Sequence, residues 1–235
     1  MNGLANVLFC LIFCAAIGLA ESKPVIKAVR APADVPLADD PASSFWSAAR
    51  PAYLEKDIQG KLVHGFRTEV RTRWTKDNLY FLFTCPYDEL YLKPSPNTKE
   101  ETNELWNWDV AEVFISSNFD DIKRYQEFEV SPQGEWIDLD IDLHKPHHEV
   151  GWTWNSGFEM KARIDTANHR WFAAMRIPLA AIDKRTPAAG NTFRMNLFLS
   201  EGPASNHHEV TWQPPMSNTF HVPERFGLLK LVGEK

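Results

Sequence analysis

Thr68-Glu69-Val70-Arg71-Thr72-Arg73-Trp74, followed by the turn residues Lys76-Asp77-Asn78 and the run Leu79-Tyr80-Phe81-Leu82-Phe83-Thr84-Cys85, decides the class of the fold. The first run sets Thr, Val, Thr and Trp alternately against charged residues, the two-residue period of a strand with one buried face. The turn and the apolar second run complete a hairpin. Working outward, similar runs predict strands at Ala111 to Ser116, Tyr125 to Val130, Trp136 to Ile141, Phe158 to Ile164, Trp171 to Ile177, Phe193 to Ser200 and Phe226 to Val232. Pro132-Gln133-Gly134 and Thr166-Ala167-Asn168-His169 supply turns between neighbours. Helix is scarce, with one short turn expected at Leu179 to Ile182 after Pro178. The Pro-, Ala- and Asp-rich segment Glu21 to Ser44 reads as a lead-in carrying one strand, Val25 to Val29. This is the pattern of an all-β, single-domain antiparallel β-sandwich.

With 235 residues, 12% aromatics and a formal net charge of -6, the chain is long enough for one sizeable core. The acidic balance, with no basic run or stripe, argues against nucleic acid and against anionic membrane surfaces as partners. Met1 to Ala20 contains no charged residue and carries an apolar run from Val7 to Ile17 ahead of Gly18-Leu19-Ala20. It reads as a secretory signal cleaved after Ala20, which leaves residues 21–235 as the folded domain and predicts a secreted or periplasmic protein. The apolar run is shorter than the roughly 20 residues a spanning helix needs. Cys10 and Cys14 would leave with the signal, so no disulfide forms within the mature chain. Cys85, inside an apolar run, reads as a buried, inert thiol.

Two stretches far apart in the chain carry the functional signal: Leu105-Trp106-Asn107-Trp108-Asp109 leading into Val110 to Ile115, and Trp212-Gln213-Pro214-Pro215 running on to Phe220-His221-Val222-Pro223-Glu224-Arg225-Phe226-Gly227. Each places flat aromatic rings in a loop beside a strand, which suits stacking on the apolar face of a sugar. Trp106 and Trp108, two apart on extended chain, would point to opposite sides, so that one faces a ligand while the other packs. Glu112, in an otherwise apolar strand, must be paired or face a ligand if buried. Trp74, Trp136 and Trp171 lie inside strand patterns and read as core; Trp152 and Trp154 are second-tier ligand candidates. The polar region from Pro86 to Glu104 is long for a compact sandwich and frames the site.

From about Pro24 onward the chain resembles the family 9 carbohydrate-binding modules. The resemblance rests on Trp74 with Leu79-Tyr80, on Trp106-x-x-Asp109-x-x-Glu112-x-Phe114-Ile115, on Ile177-Pro178, on Asn196, and on Trp212 with Pro223-x-x-Phe226-Gly227. It implies an immunoglobulin-like, jelly-roll-like sandwich that clamps a sugar between two aromatic rings and is stiffened by calcium. Trp106 falls at the first clamp tryptophan and Glu112 at a carboxylate that binds sugar hydroxyls. Phe220 stands where the resemblance implies the second clamp tryptophan, keeping a stacking face but losing the indole N–H. Glu129 stands in place of Arg, Phe198 in place of Gln and Ser217 in place of Asn, so the family's reducing-end specificity does not transfer.

Asp138, Asp140 and Asp142 alternate along one strand and share a face at about 7 Å spacing. Calcium would suit these hard oxygen ligands in an exported protein; a solvated sheet face is the alternative. His147-His148-Glu149-Val150 is echoed by His207-His208-Glu209-Val210, yet neither copy has the helical spacing of a metalloprotease. Two other functions compete with sugar binding. A glycoside hydrolase would pair Glu112 with Asp138 or Glu129 across an open cleft, at roughly 5–5.5 or 6.5–9.5 Å. A heme-carrying electron-transfer domain would draw ligands from His207, His221, Met195 or Met216. The expectation is a monomeric, non-catalytic binding protein for a saccharide, with calcium and no organic cofactor, acting in support of polysaccharide breakdown.

Overall fold

The computed structural model describes residues 22–147 and 154–234. The segment read as a secretory signal, Cys10, Cys14 and Trp152 lie outside them, as does most of the first His-His-Glu-Val stretch. In chain order the strands are β1 (Val25–Arg30), β2 (Ala52–Leu54), β3 (Thr68–Trp74), β4 (Asn78–Pro86), β5 (Val110–Ser116), β6 (Arg124–Val130), β7 (Trp136–Asp142), β8 (Glu159–Asp165), β9 (Arg170–Pro178), β10 (Thr192–Glu201), β11 (His208–Thr211) and β12 (Gly227–Val232). One helical turn, α1 (Leu179–Ile182), follows Pro178 as expected. The opening hairpin forms as read: β3 pairs antiparallel with β4, Trp74 opposite Leu79. Its turn is held by the Thr75 N–H donating to the Asn78 carbonyl at 2.8 Å, and the Asn78 N–H donates back to the Thr75 hydroxyl at 3.0 Å.

The strands hydrogen-bond in the order β7-β6-β5-β10-β12-β1-β3-β4-β9-β8, with β11 beside β10 and β2 beside β3. The path folds over on itself, because one core cluster draws Val113, Ile115, Phe128 and Leu197 from one half and Phe81, Phe83, Trp171 and Met175 from the other. Face-to-face packing of two such layers is a sandwich. Cys85 is buried in this core, and burial pushes its thiol pKa well up. All pairings are antiparallel except those of β1, which lies parallel to both β12 and β3. Its partners are not hairpin neighbours in sequence, so no tight turn dictates their direction.

What positions the site is the outer face of β7-β6-β5-β10. Alternation along β5 sends Ala111, Val113 and Ile115 into the core and turns Val110, Glu112 and Phe114 outward. A second apolar cluster of Val110, Phe114, Tyr125, Ile137, Leu139, Ile141, Phe198 and Phe226 covers that outer face, with Trp106 and Phe220 packed at its margin. Two loops therefore cross this face, one before β5 and one before β12.

Candidate functional site

Between those two loops runs a cleft of about 410 Å³, lined by Trp106, Glu112, Phe114, Glu127, Leu139, Ile141, Ser200, Glu209, Thr219, Phe220 and His221. Trp106 reaches it from a short 3-10 turn, Leu105–Asn107, entered through Glu104 in a left-handed conformation with φ 58°. The segment is thus a tight turn and not the extended chain the Trp-x-Trp spacing suggests. Phe220 reaches the cleft from the loop before β12, and its ring lies flat on Phe198 with centroids 4.1 Å apart. His221 is hydrogen-bonded to the Tyr125 hydroxyl and stacks over Phe114 at 5.3 Å.

The floor is acidic. Glu112 stands opposite Glu129 across the β5–β6 ladder, and Phe114 stands opposite Glu127. Glu112, Glu127 and Glu129 are all buried, and one carboxylate oxygen from each lies within 4.8 Å of the other two. Burial pushes all three carboxyl pKa values up, Glu127 to about 7. Neighbouring carboxylates raise Glu112 and Glu129 further. The Ser200 hydroxyl donates to Glu112 Oε1 at 3.4 Å.

An open cleft with aromatic walls and a polar floor, on the outer face of a sandwich, is the geometry on which relatives can be compared. The family model described as "Carbohydrate family 9 binding domain-like" matches residues 39–234. The chain belongs to that family. A relative named "Extracellular protein" from Arthroderma benhamiae is 25% identical over 180 residues, covering 71% of this chain and 79% of its own. A family 9 carbohydrate-binding module from Caldicellulosiruptor kristjanssonii, solved with cellotriose, superposes with a TM-score of 0.62 at 15% identity, covering 90% of this chain and 95% of that one. A protein of Bacteroides uniformis gives a TM-score of 0.70 at 15% identity, covering 89% of this chain and all of that one. At such identities the structural likeness speaks for the fold.

Within this family 9 chain the residues named from sequence fall into distinct places. Trp106, Glu112 and Phe220 meet in the one cleft. Phe198 is fully buried and backs Phe220 from below, and Glu129 is fully buried under the floor; neither lines the opening. Trp108 lies outside the lining, with the Lys93 ammonium 5.8 Å from its ring. Trp212 packs on the main core and covers Gly227 so closely that a Cβ there would lie 2.4 Å from the indole Cη2. Ser217 precedes Thr219 and Phe220 on their loop, outside the lining.

The acidic strand β7 does not present its aspartates as one ligand set. Asp138 is buried and accepts a hydrogen bond from the Ser156 N–H at 2.9 Å, Asp140 accepts from the Gln126 amide at 3.0 Å, and Asp142 pairs with Arg124 and Lys145. Three carboxylates so engaged do not fit a shared calcium ion. Asp138 shares the inward face of β7 with the core-packed Trp136, whereas Glu112 turns outward, so those two do not flank one opening. The residues considered for heme do not share a site either: Met195 is core, Met216 is exposed, His221 lines the cleft and His207 lines a separate groove. Glu127, Glu209 and Ser200 are cleft residues the sequence reading passed over. The period-two series Tyr125, Glu127, Glu129 was the available signal for the first, once β6 was known to lie beside β5.

Proposed function

We propose that this chain is an exported saccharide-binding protein that holds its ligand in the cleft between Trp106 and Phe220 by stacking on a sugar face. The observation that carries the reading is that Trp106 and Phe220, 114 positions apart in sequence, line one opening together with the buried carboxylate of Glu112. A sugar offers a C–H face for the rings and hydroxyls for Glu112, Ser200 and Glu209. The cleft volume falls within the range of roughly 300–1,000 Å³ usual for small-ligand sites. The cellotriose bound by the Caldicellulosiruptor module supports a β-linked glucan chain as the first ligand to try, and a role in polysaccharide breakdown. Export is supported by the charge-free, apolar Met1 to Ala20 and by the relative named an extracellular protein.

A glycan array probed with the mature protein, followed by calorimetric titration of the best ligand, tests the reading. Trp106→Ala should weaken binding by about 2 kcal/mol or more, as central aromatic anchors do. Glu112→Gln should weaken it by roughly 0.5–1.5 kcal/mol, the range for a neutral hydrogen bond, because burial and the neighbouring carboxylates hold the Glu112 pKa well up. A folded Trp106→Ala protein with unaltered affinity would remove the clamp from the account.

A further inference from the structure

Beneath the aromatic walls of the cleft the acidic groups are not offset by basic ones. Glu129 is fully buried, and apart from the neighbouring Glu127 carboxyl neither of its carboxylate oxygens meets a hydrogen-bond donor among the described residues. Glu127 Oε2 is in the same position. The Ser200 hydroxyl is a neutral, long-range donor to Glu112, and no Lys or Arg belongs to the cleft lining, to which Glu209 adds a further carboxylate. A buried carboxylate without a partner is costly, and three converging ones repel one another as well.

We propose that Glu112, Glu127 and Glu129 together bind one divalent cation of the calcium class at the floor of the cleft. The donors are all carboxylate oxygens, which select hard cations over thiolate- or imidazole-seeking metals. Oxygens held by one calcium ion at roughly 2.3–2.6 Å are no more than about 5.2 Å apart, and the three here already lie within 4.8 Å of one another. Two of the carboxylates face each other across the β5–β6 ladder and the third is two residues along β6, so the set rests on paired strands and not on loops. A doubly charged ion placed among them removes most of the mutual repulsion and occupies the unpartnered oxygens. Its remaining coordination positions would open toward Trp106 and Phe220. Coordination of sugar hydroxyls there rests on the saccharide reading above; the cation site itself does not, so its failure and the failure of sugar binding are separate results.

The test is calorimetric titration of exhaustively chelated mature protein with calcium chloride, and then with manganese chloride. One cation per chain is expected, with affinity at least tenfold weaker in Glu129→Gln and in Glu127→Gln. Asp140→Asn, on the acidic strand β7, should leave cation affinity unchanged. Should either glutamine variant fail to fold, manganese added to the wild-type protein supplies the second measurement: paramagnetic broadening of NMR signals should centre on Glu112, Glu127 and Glu129. Absence of binding by either cation, unchanged affinity in folded Glu129→Gln, or broadening centred on Asp138 to Asp142 would overturn the proposal.

Discussion

The ring of Phe220 lies on that of Phe198 with their planes 4° from parallel and their centroids 4.1 Å apart. Phe198 in turn meets Phe114 edge-on at 4.9 Å, inside the cluster that covers the outer face of the sheet. Phe220 therefore presents only one face to the cleft, and the orientation of that face is set by a buried residue outside the cleft lining.

Phe198→Leu should expose this dependence. Leucine keeps most of the buried apolar surface but loses the ring-on-ring contact, which is worth about 0.5–1.5 kcal/mol beyond burial. Thermal melting should record a loss of that size. Saccharide affinity should fall as well, although Phe198 lies outside the cleft lining. An affinity equal to wild type in the destabilised variant would mean that Phe220 needs no support to act.

Phe220→Trp enlarges the stacking surface over the same foundation and adds an indole N–H donor at the cleft wall. Tighter binding, or a shifted order of preference among saccharides, is expected. Calorimetric titration of two or three array hits against both proteins checks it. Identical constants for every ligand would place the sugar away from Phe220.

The hairpin of β3 and β4 was legible because its alternation, turn residues and apolar run agree at every level, and the strand bounds fell within a residue or two of expectation. β2 and β11 were missed. Ala52–Leu54 is only three residues long, and His208–Thr211 is four residues with no apolar alternation to mark it, so their pairing with β3 and β10 is a tertiary effect. The cleft was half legible. Trp106, Glu112 and Phe220 could be named from loop context and from the family resemblance. That Glu129 and Glu127 crowd Glu112 could not, because it depends on which strand lies beside β5 and in what register. Trp212 shows the reverse limit: an aromatic residue in a functional-looking loop turned out to cover a glycine.

That glycine is Gly227, at the start of β12. A Cβ added there would lie 2.4 and 2.6 Å from two carbons of the Trp212 indole and 3.0 Å from the Pro24 carbonyl oxygen. Two of these contacts are closer than side chains tolerate, and the indole is packed against the core, so it has little freedom to move away. Gly227→Ala should cost about 1–3 kcal/mol, the range for overpacking. Gly227→Ala combined with Trp212→Leu should recover part of that loss. Denaturant melts of the two proteins measure it, and a neutral Gly227→Ala would show that β12 shifts freely.

Glu201 closes β10 with its side chain fully buried, and neither carboxylate oxygen has a partner among the described residues. Burial pushes its pKa up to about 9, with the carboxylates of Asp109 and Asp88 adding to the rise. Since the ordinary value is 4.5, the folded chain holds an extra proton across the window between the two values. Stability from this group is therefore fully present below about pH 4.5 and is lost progressively as pH climbs to about 9. Asp109, itself raised to about 6 by burial, acts in the same direction over a lower window, and Cys85 is the other titratable group whose shift involves both carboxylates. Glu201→Gln removes the Glu201 titration and leaves the others. Its stability should match wild type near pH 4.5 and exceed it near pH 9 by on the order of 2 kcal/mol, the cost of an unsatisfied buried polar group. Melting curves of the two proteins at both pH values decide it: a gap of equal size at each would mean that a different carboxyl carries the dependence.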